Sequence, residues 1–163
     1  MITFKINQAR FTYRVAWVCV HDNHVLLHRA DGFDFWALPG GRVEIGEPSE
    51  TTFRREIAEE LGIHTGINVE RLLWVAENFF TFEGTSHHEL GLYYKVSLEQ
   101  DAAFYDKSKI MEGTEEYYVK DRLKLFFQWF AVDTLDDVPL YPTFLRAGLR
   151  NLPTSAQHIV HVD

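Results

Sequence analysis

The chain has 163 residues, 46% hydrophobic and 25% charged, with a formal net charge of −8 at pH 7. That length and mixture suit one globular domain over residues 1–163 and exclude a disordered or low-complexity polypeptide. The acidic balance and the lack of a basic tract argue against general nucleic-acid binding, and no apolar stretch is long enough to span a bilayer, so a soluble, cytoplasmic protein is expected.

In chain order, MITFKINQARF shows neither a long apolar core nor a small-residue cleavage site. FTYRVAWVCV and HVLLHRA are rich in β-formers and meet at Asp22 and Asn23, which read as a hairpin turn. The single cysteine, Cys19, lies in the first of these runs and reads as a buried, inert thiol. WALP leads into Pro39, Gly40 and Gly41, which permit a tight backbone approach. A helix over about 50–61 follows, with Ser49 as its cap and Gly62 as its left-handed stop. INVERLLWVAENFF and HHELGLYYKVSL then read as strands joined by a loop around Glu83 to Ser86. Residues 99–122 read as a charged, irregular stretch, and LKLFFQWFAVDTL as a further strand. A second helix is expected from near Pro142 through PTFLRAGLRN, ending before Pro153. Many strands with a few helices give an α/β sandwich.

The helix after the glycine turn carries the chemistry. At about 100° per residue, Phe53, Ile57 and Leu61 share one stripe, and Glu56, Glu60 and, further round, Glu59 form an acidic stripe beside it. Glu60 projects only about 20° from Phe53, so it falls at the margin of the buried face, where a carboxylate requires a compensating positive charge. Two compensations fit. Arg54 and Arg55 can pair with the acids as an ordinary charged helix face, or the three carboxylates can converge on a hard divalent cation such as Mg2+ or Mn2+.

Taken with its flanks, the segment GRVEIGEPSETTFRREIAEELGI places Gly41, Glu47, Arg55, Glu56, Glu59, Glu60 and Gly62 at the spacing G-x5-E-x7-R-E-U-x-E-E-x-G-U, with Ile57 and Ile63 at the aliphatic positions. This pattern, complete from Gly41 to Ile63, resembles the Nudix box of the Nudix hydrolase superfamily; no subfamily is identified. The resemblance implies an α/β/α sandwich with a central mixed β-sheet. It further implies metal binding by Glu56, Glu59 and Glu60 with the carbonyl of Gly40, orientation of these carboxylates by Arg55, and support of Arg55 by Glu47. The implied reaction is metal-dependent hydrolysis of a diphosphate linkage in a nucleoside diphosphate joined to a group X, with water as nucleophile and Mg2+ or Mn2+ as cofactor. A small-molecule nucleotide is the implied partner, and the family's habit of forming homodimers extends to this chain by analogy.

Outside the box the signals thin. Arg14, Arg29, Arg42 and Lys95 are candidates for phosphate contacts, and Phe33, Phe35, Trp36, Phe79 and Phe80 for stacking on a nucleobase. Glu77, Glu89, His87 and His88 are candidates for the site as ligand contacts or proton acceptors, and Glu112, Glu115 and Glu116 form a second acidic patch. The proline that ADP-ribose hydrolases of the family carry past the box is replaced here by the run Glu77, Asn78, Phe79, Phe80. The tyrosine of dinucleoside polyphosphate hydrolases and the extended motif of NADH pyrophosphatases are absent as well. Two other readings stand beside the hydrolase: a nucleotide-sensing module of the same fold, and an enzyme acting on RNA 5′ ends.

Overall fold

A computed structural model describes the backbone of residues 1–117 and 121–163 and the side chains of residues 1–114 and 123–163. The elements run β1 (Thr3–Ile6), β2 (Ala9–His21), β3 (His24–Ala30), β4 (Gly40–Arg42), α1 (Ser49–Leu61), β5 (Ile67–Phe82), β6 (Thr85–Leu98), β7 (Ile110–Tyr117) and β8 (Asp121–Ala131). A 3-10 turn (Val132–Asp137), α2 (Leu145–Gly148) and β9 (Gln157–Val162) complete them. The strands form one mixed sheet in the order β7-β8-β3-β2-β6-β5-β9, with β1 and β4 also paired to β2. The β2–β6 and β5–β9 pairs are parallel and the others antiparallel.

Alternation along β2 divides the core between the two faces of this sheet. Val15, Trp17 and Cys19 pack with Phe53 and Ile57 of α1. Ala16 and Val18 pack with Leu135 of the 3-10 turn and with Leu145 and Leu149 around α2. A mixed sheet with α1 on one face and short helical turns on the other is the α/β sandwich read from the sequence. The expected hairpin turn at Asp22 and Asn23 forms, and the loop expected around Glu83 to Ser86 is a tighter turn at Glu83 and Gly84, with Thr85 and Ser86 already in β6. Asp22 and Asn23 have φ of 48° and 57°, and Glu83 and Gly84 have φ of 48° and 74°. Positive φ at both central residues is the two-residue turn that matches strand twist.

Several expectations are corrected. The stretch 99–122 is not irregular throughout, because residues 110–117 pair with β8. β7 is an edge strand, where charged side chains block further pairing and hide the period-2 apolar pattern. β1 and β9, four and six residues long and mostly exposed, are strands the sequence did not mark. The strand expected over 123–135 ends at Ala131 and continues as the 3-10 turn. The second helix is shorter than expected: Pro142 follows a cis peptide bond, and α2 begins only at Leu145. The N–H of Thr143 donates to Asp163 Oδ2 (3.1 Å), while the carbonyls of Pro142 and Thr143 accept from the N–H groups of Leu145 and Arg146 in a short turn ahead of α2. Ser49 does not cap α1, since its hydroxyl hydrogen bonds Tyr94 Oη at 2.7 Å and Pro48 occupies the cap. Gly62 does close the helix, at φ 69°, and its N–H donates to the Ala58 carbonyl at 3.0 Å.

Candidate functional site

The acidic end of the site is held by one arginine. Arg55 donates Nε and Nη2 to the two carboxylate oxygens of Glu47 (3.2 and 3.1 Å), and Nη1 to Glu56 (2.8 Å) and Glu59 (3.2 Å). Nη2 also reaches the Arg42 carbonyl at 3.3 Å. Glu47 is in turn fixed by the Thr52 hydroxyl at 2.8 Å. The hydrogen bond from Arg55 is the main reason the Glu47 carboxyl is held below its usual range. Burial works against the Arg55 charge, but its bonds to Glu47 and the charges of Glu56 and Glu59 outweigh it and raise its proton affinity. Arg54 takes no part: it donates to the Ile67 carbonyl at 2.9 Å and lies over the ring of Phe53.

Glu56 and Glu60 are buried, at 6% and 3% exposure, while Glu59 stands in solvent. A Cβ at Gly41 would collide with the carboxylate of Glu56, so only glycine lets that side chain lie against β4. Gly40, at φ 150°, likewise leaves no room for a side chain against the Val15 carbonyl. On the far side, Gly113 of β7 passes so close to the Glu60 carbonyl that a Cβ there would collide too. A cavity of about 250 Å³ opens among Arg42, Glu56, Glu59, Glu60 and Thr114. Three carboxylates on a glycine-lined wall are the donor chemistry of a hard divalent ion. With Arg55 among them, no three acidic or imidazole side chains of the described residues are gathered as a ready ligand set. The arrangement is the ion-paired one, in which a cation competes with Arg55 for Glu56 and Glu59.

Arg42 also lines a second cavity, of about 310 Å³, together with Arg10, Arg14 and Arg29. Its floor is the sheet: Arg10, Thr12 and Arg14 project from β2, His28 from β3, and His87 and Glu89 from β6. Arg14 donates to the Leu38 carbonyl at 2.8 Å, and Arg29 to the Phe33 carbonyl at 2.7 Å. Burial, helped by Arg14, pushes the His28 imidazole down to about 3, so it is neutral. Burial and the cations Arg10, Arg42 and Lys5 also lower His87. Burial raises the Glu89 carboxyl despite Arg14, Arg42 and a hydrogen bond from Asn78.

This cavity runs into a third, of about 590 Å³, which shares Arg14, Phe35, Ala37, Phe80, Phe82 and Glu89 with it. Asp34, Asn78, Tyr141 and Asp163 line the third cavity as well. Phe33, Phe35, Phe82 and Tyr141 form an aromatic wall with edge-on and tilted ring contacts of 5.5–6.0 Å. Asp163 is placed by β9, and its carboxylate accepts from the hydroxyl and N–H of Thr143 and lies 3.0 Å from His161 Nε2.

Of the residues proposed from sequence, Glu47, Arg55, Glu56, Glu59 and Glu60 gather at the acidic end, and Arg14, Arg29, Phe33, Phe35, Gly40, Arg42, Phe80, His87 and Glu89 line the adjoining cleft. Trp36 is not brought there: it packs edge-on against Phe130 at 4.7 Å and beneath Arg29. Glu77 is also elsewhere, bonded to His158 of β9 at 2.8 Å. Phe79 and His88 stack at 4.4 Å on each other and lie outside the cleft, as the alternation of β5 and β6 requires. Lys95 pairs with Glu70 at 2.6 Å, and Glu112 with Lys124 at 2.8 Å. The side chains of Glu115 and Glu116 lie outside the described residues. Sequence reasoning missed Arg10, Thr12, His28, Asn78, Phe82, Tyr141 and Asp163. For Asn78 the signal was present, a polar residue two positions from Phe80 on the same strand face.

The NUDIX domain model matches residues 11–147. No curated protein matches the chain. Among solved structures, a UDP-X diphosphatase is 23% identical at a TM-score of 0.55, covering 91% of this chain, which spans 66% of that one. An ADP-ribose pyrophosphatase from Streptococcus suis is 14% identical at a TM-score of 0.56, over 91% of this chain and 98% of its own. A MutT protein from Bacillus halodurans is 18% identical at a TM-score of 0.55, over 92% and 89%.

Proposed function

The chain belongs to the Nudix family, and from that premise we propose that it hydrolyses a phosphoanhydride linkage in a nucleoside diphosphate joined to a further group X, with water as nucleophile and Mg2+ or Mn2+ as cofactor. The observation that supports this is the order of three neighbourhoods along one cleft: carboxylates, then arginines, then aromatic rings. A nucleotide diphosphate has the same order of needs, with cations and arginines at the phosphates and stacking at the base.

Glu56, Glu59 and Glu60, with the carbonyl of Gly40, are the residues that would hold the ion. When bound, it supplies positive charge against the phosphate oxygens and lowers the pKa of water. Arg55 keeps Glu56 and Glu59 in place and is itself braced by Glu47 and Thr52. Arg42, which lines both the acidic cavity and the arginine cavity, bridges the two regions. With Arg10, Arg14 and Arg29 it offers local positive charge to an anion that a net charge of −8 would otherwise repel. Two proteins sharing the fold, a UDP-X diphosphatase and an ADP-ribose pyrophosphatase, carry names that point to linkages of this class.

The test is a panel of nucleoside triphosphates, ADP-ribose, dinucleoside polyphosphates, nucleotide sugars and triphosphorylated RNA oligonucleotides, each with Mg2+ or Mn2+ and with chelator. Metal-dependent release of a phosphorylated product, with its identity locating the bond cut, is the expected result. Tight nucleotide binding without turnover under either metal would overturn the catalytic reading in favour of a sensing module.

A further inference from the structure

At the wide end of the cleft, Asn78 is 4% exposed, and its Oδ1 has no hydrogen-bond partner among the described residues. The opposite end of the same amide is committed: it donates to Glu89, its direct neighbour across the β5–β6 register. Both residues line the cavity of about 590 Å³. Ionised Glu89 only accepts and so takes the N–H end of the amide, which leaves the Asn78 oxygen as a buried acceptor in need of a donor.

The rest of that lining has the same bias. Asp34, Glu89 and Asp163 contribute carboxylates, Arg14 is the one cationic side chain among the described lining residues, and Phe35, Phe80, Phe82 and Tyr141 supply flat apolar walls. A planar ring slotted there meets acceptors at its edge. Uracil and thymine offer two carbonyls about a single N–H and would set oxygen against oxygen, whereas guanine, adenine and cytosine carry an amino group with two N–H donors.

We propose that the wide end of the cleft selects nucleobases bearing an exocyclic amino group, with the Asn78 amide oxygen and the Glu89 carboxylate as adjacent acceptors and Phe80 as a stacking surface. This inference rests on the reading of the cleft as a nucleotide site, and deepens it by naming the base class.

The test compares ligands that differ by one amino group, CMP against UMP and GMP against IMP, by titration calorimetry on the full chain with Mg2+. In at least one pair the amino-bearing member should bind about tenfold tighter. Asn78→Leu, checked by its thermal melt, should bring the members of that pair within about threefold. Equal affinity within both pairs, or tighter binding of UMP or IMP, overturns the inference whether or not the variant folds. A preference that survives in folded Asn78→Leu also overturns it. The two readings separate cleanly: anhydride cleavage without amino discrimination sinks this inference alone, discrimination without cleavage sinks the hydrolase alone, and no binding of any of the four sinks this inference while the substrate panel decides the hydrolase.

Discussion

Glu47, Arg55, Glu56, Glu59 and Glu60 come from one short run of chain, and all but the first sit on α1. The aromatic end of the cleft draws Phe35 from the segment after β3, Asn78 and Phe80 from β5, Glu89 from β6, and Asp163 from beyond β9. The acidic end is organised by local spacing and by a single guanidinium that touches three carboxylates. The aromatic end exists only if sheet register holds, because a slip of one residue would turn Asn78 and Glu89 out of the cavity and Glu77 and Leu90 into it. The two regions therefore differ in what a substitution disturbs: chemistry at one, recognition and fold at the other.

The largest expected effect lies at the acidic end. Glu56→Gln keeps size and burial but removes a charge, and should lower kcat about a thousandfold, several kcal/mol of charge stabilisation, with little change in melting. Steady-state rates across a Mg2+ titration check this, and retention of more than a tenth of the activity would erase the contrast between the regions. Gly41→Ala comes next. The added methyl collides with the Glu56 carboxylate, so activity should fall about a hundredfold, as when a group orienting a ligand is lost, while overpacking costs about 1–3 kcal/mol of stability. Kinetics paired with urea unfolding separate the two losses.

His28 sharpens the picture for the cleft floor. Its pKa is pushed from 6.5 down to about 3 in the folded state, so the unfolded chain binds more protons between those values. The stability it contributes is present above about pH 6.5 and lost as the pH falls, by about 1.4 kcal/mol per pH unit well inside the window. Urea unfolding at pH 6, 5 and 4 measures the slope, and His28→Gln should flatten it. The smallest effect is expected at Glu77. Because it bonds His158 outside the cleft, Glu77→Gln should change kcat/KM by less than about twofold, the scale of an exposed pair. A large loss would show that the two faces of β5 are not as separate in function as in structure.

Much of this molecule was legible before folding. The helix over about 50–61 and its glycine stop, the hairpin at Asp22 and Asn23, and the placing of Glu60 at the core margin all follow from local rules of period, turn chemistry and helix geometry. So does the neighbourhood of Arg55, Glu56, Glu59 and Glu60, since side chains three and four apart on a helix are neighbours whatever surrounds them. The strands β1, β7 and β9 were not legible: β1 and β9 are only four and six residues long, and the run of β7 is broken by glycine and glutamates.

The sequence by itself determined the acidic helix, the glycine wall beside it and the family to which they belong. Only the tertiary structure decided that Arg55 is the arginine that joins the acids while Arg54 turns to the Ile67 carbonyl, that Asn78 and not Glu77 faces the cleft, and that Asp163, at the far end of the chain, closes its wall. The physical reason is range. Helical spacing acts over one or two turns and can be counted along the chain, whereas a cleft floored by the sheet depends on pairings between residues far apart, whose register is set by burial of the whole sheet.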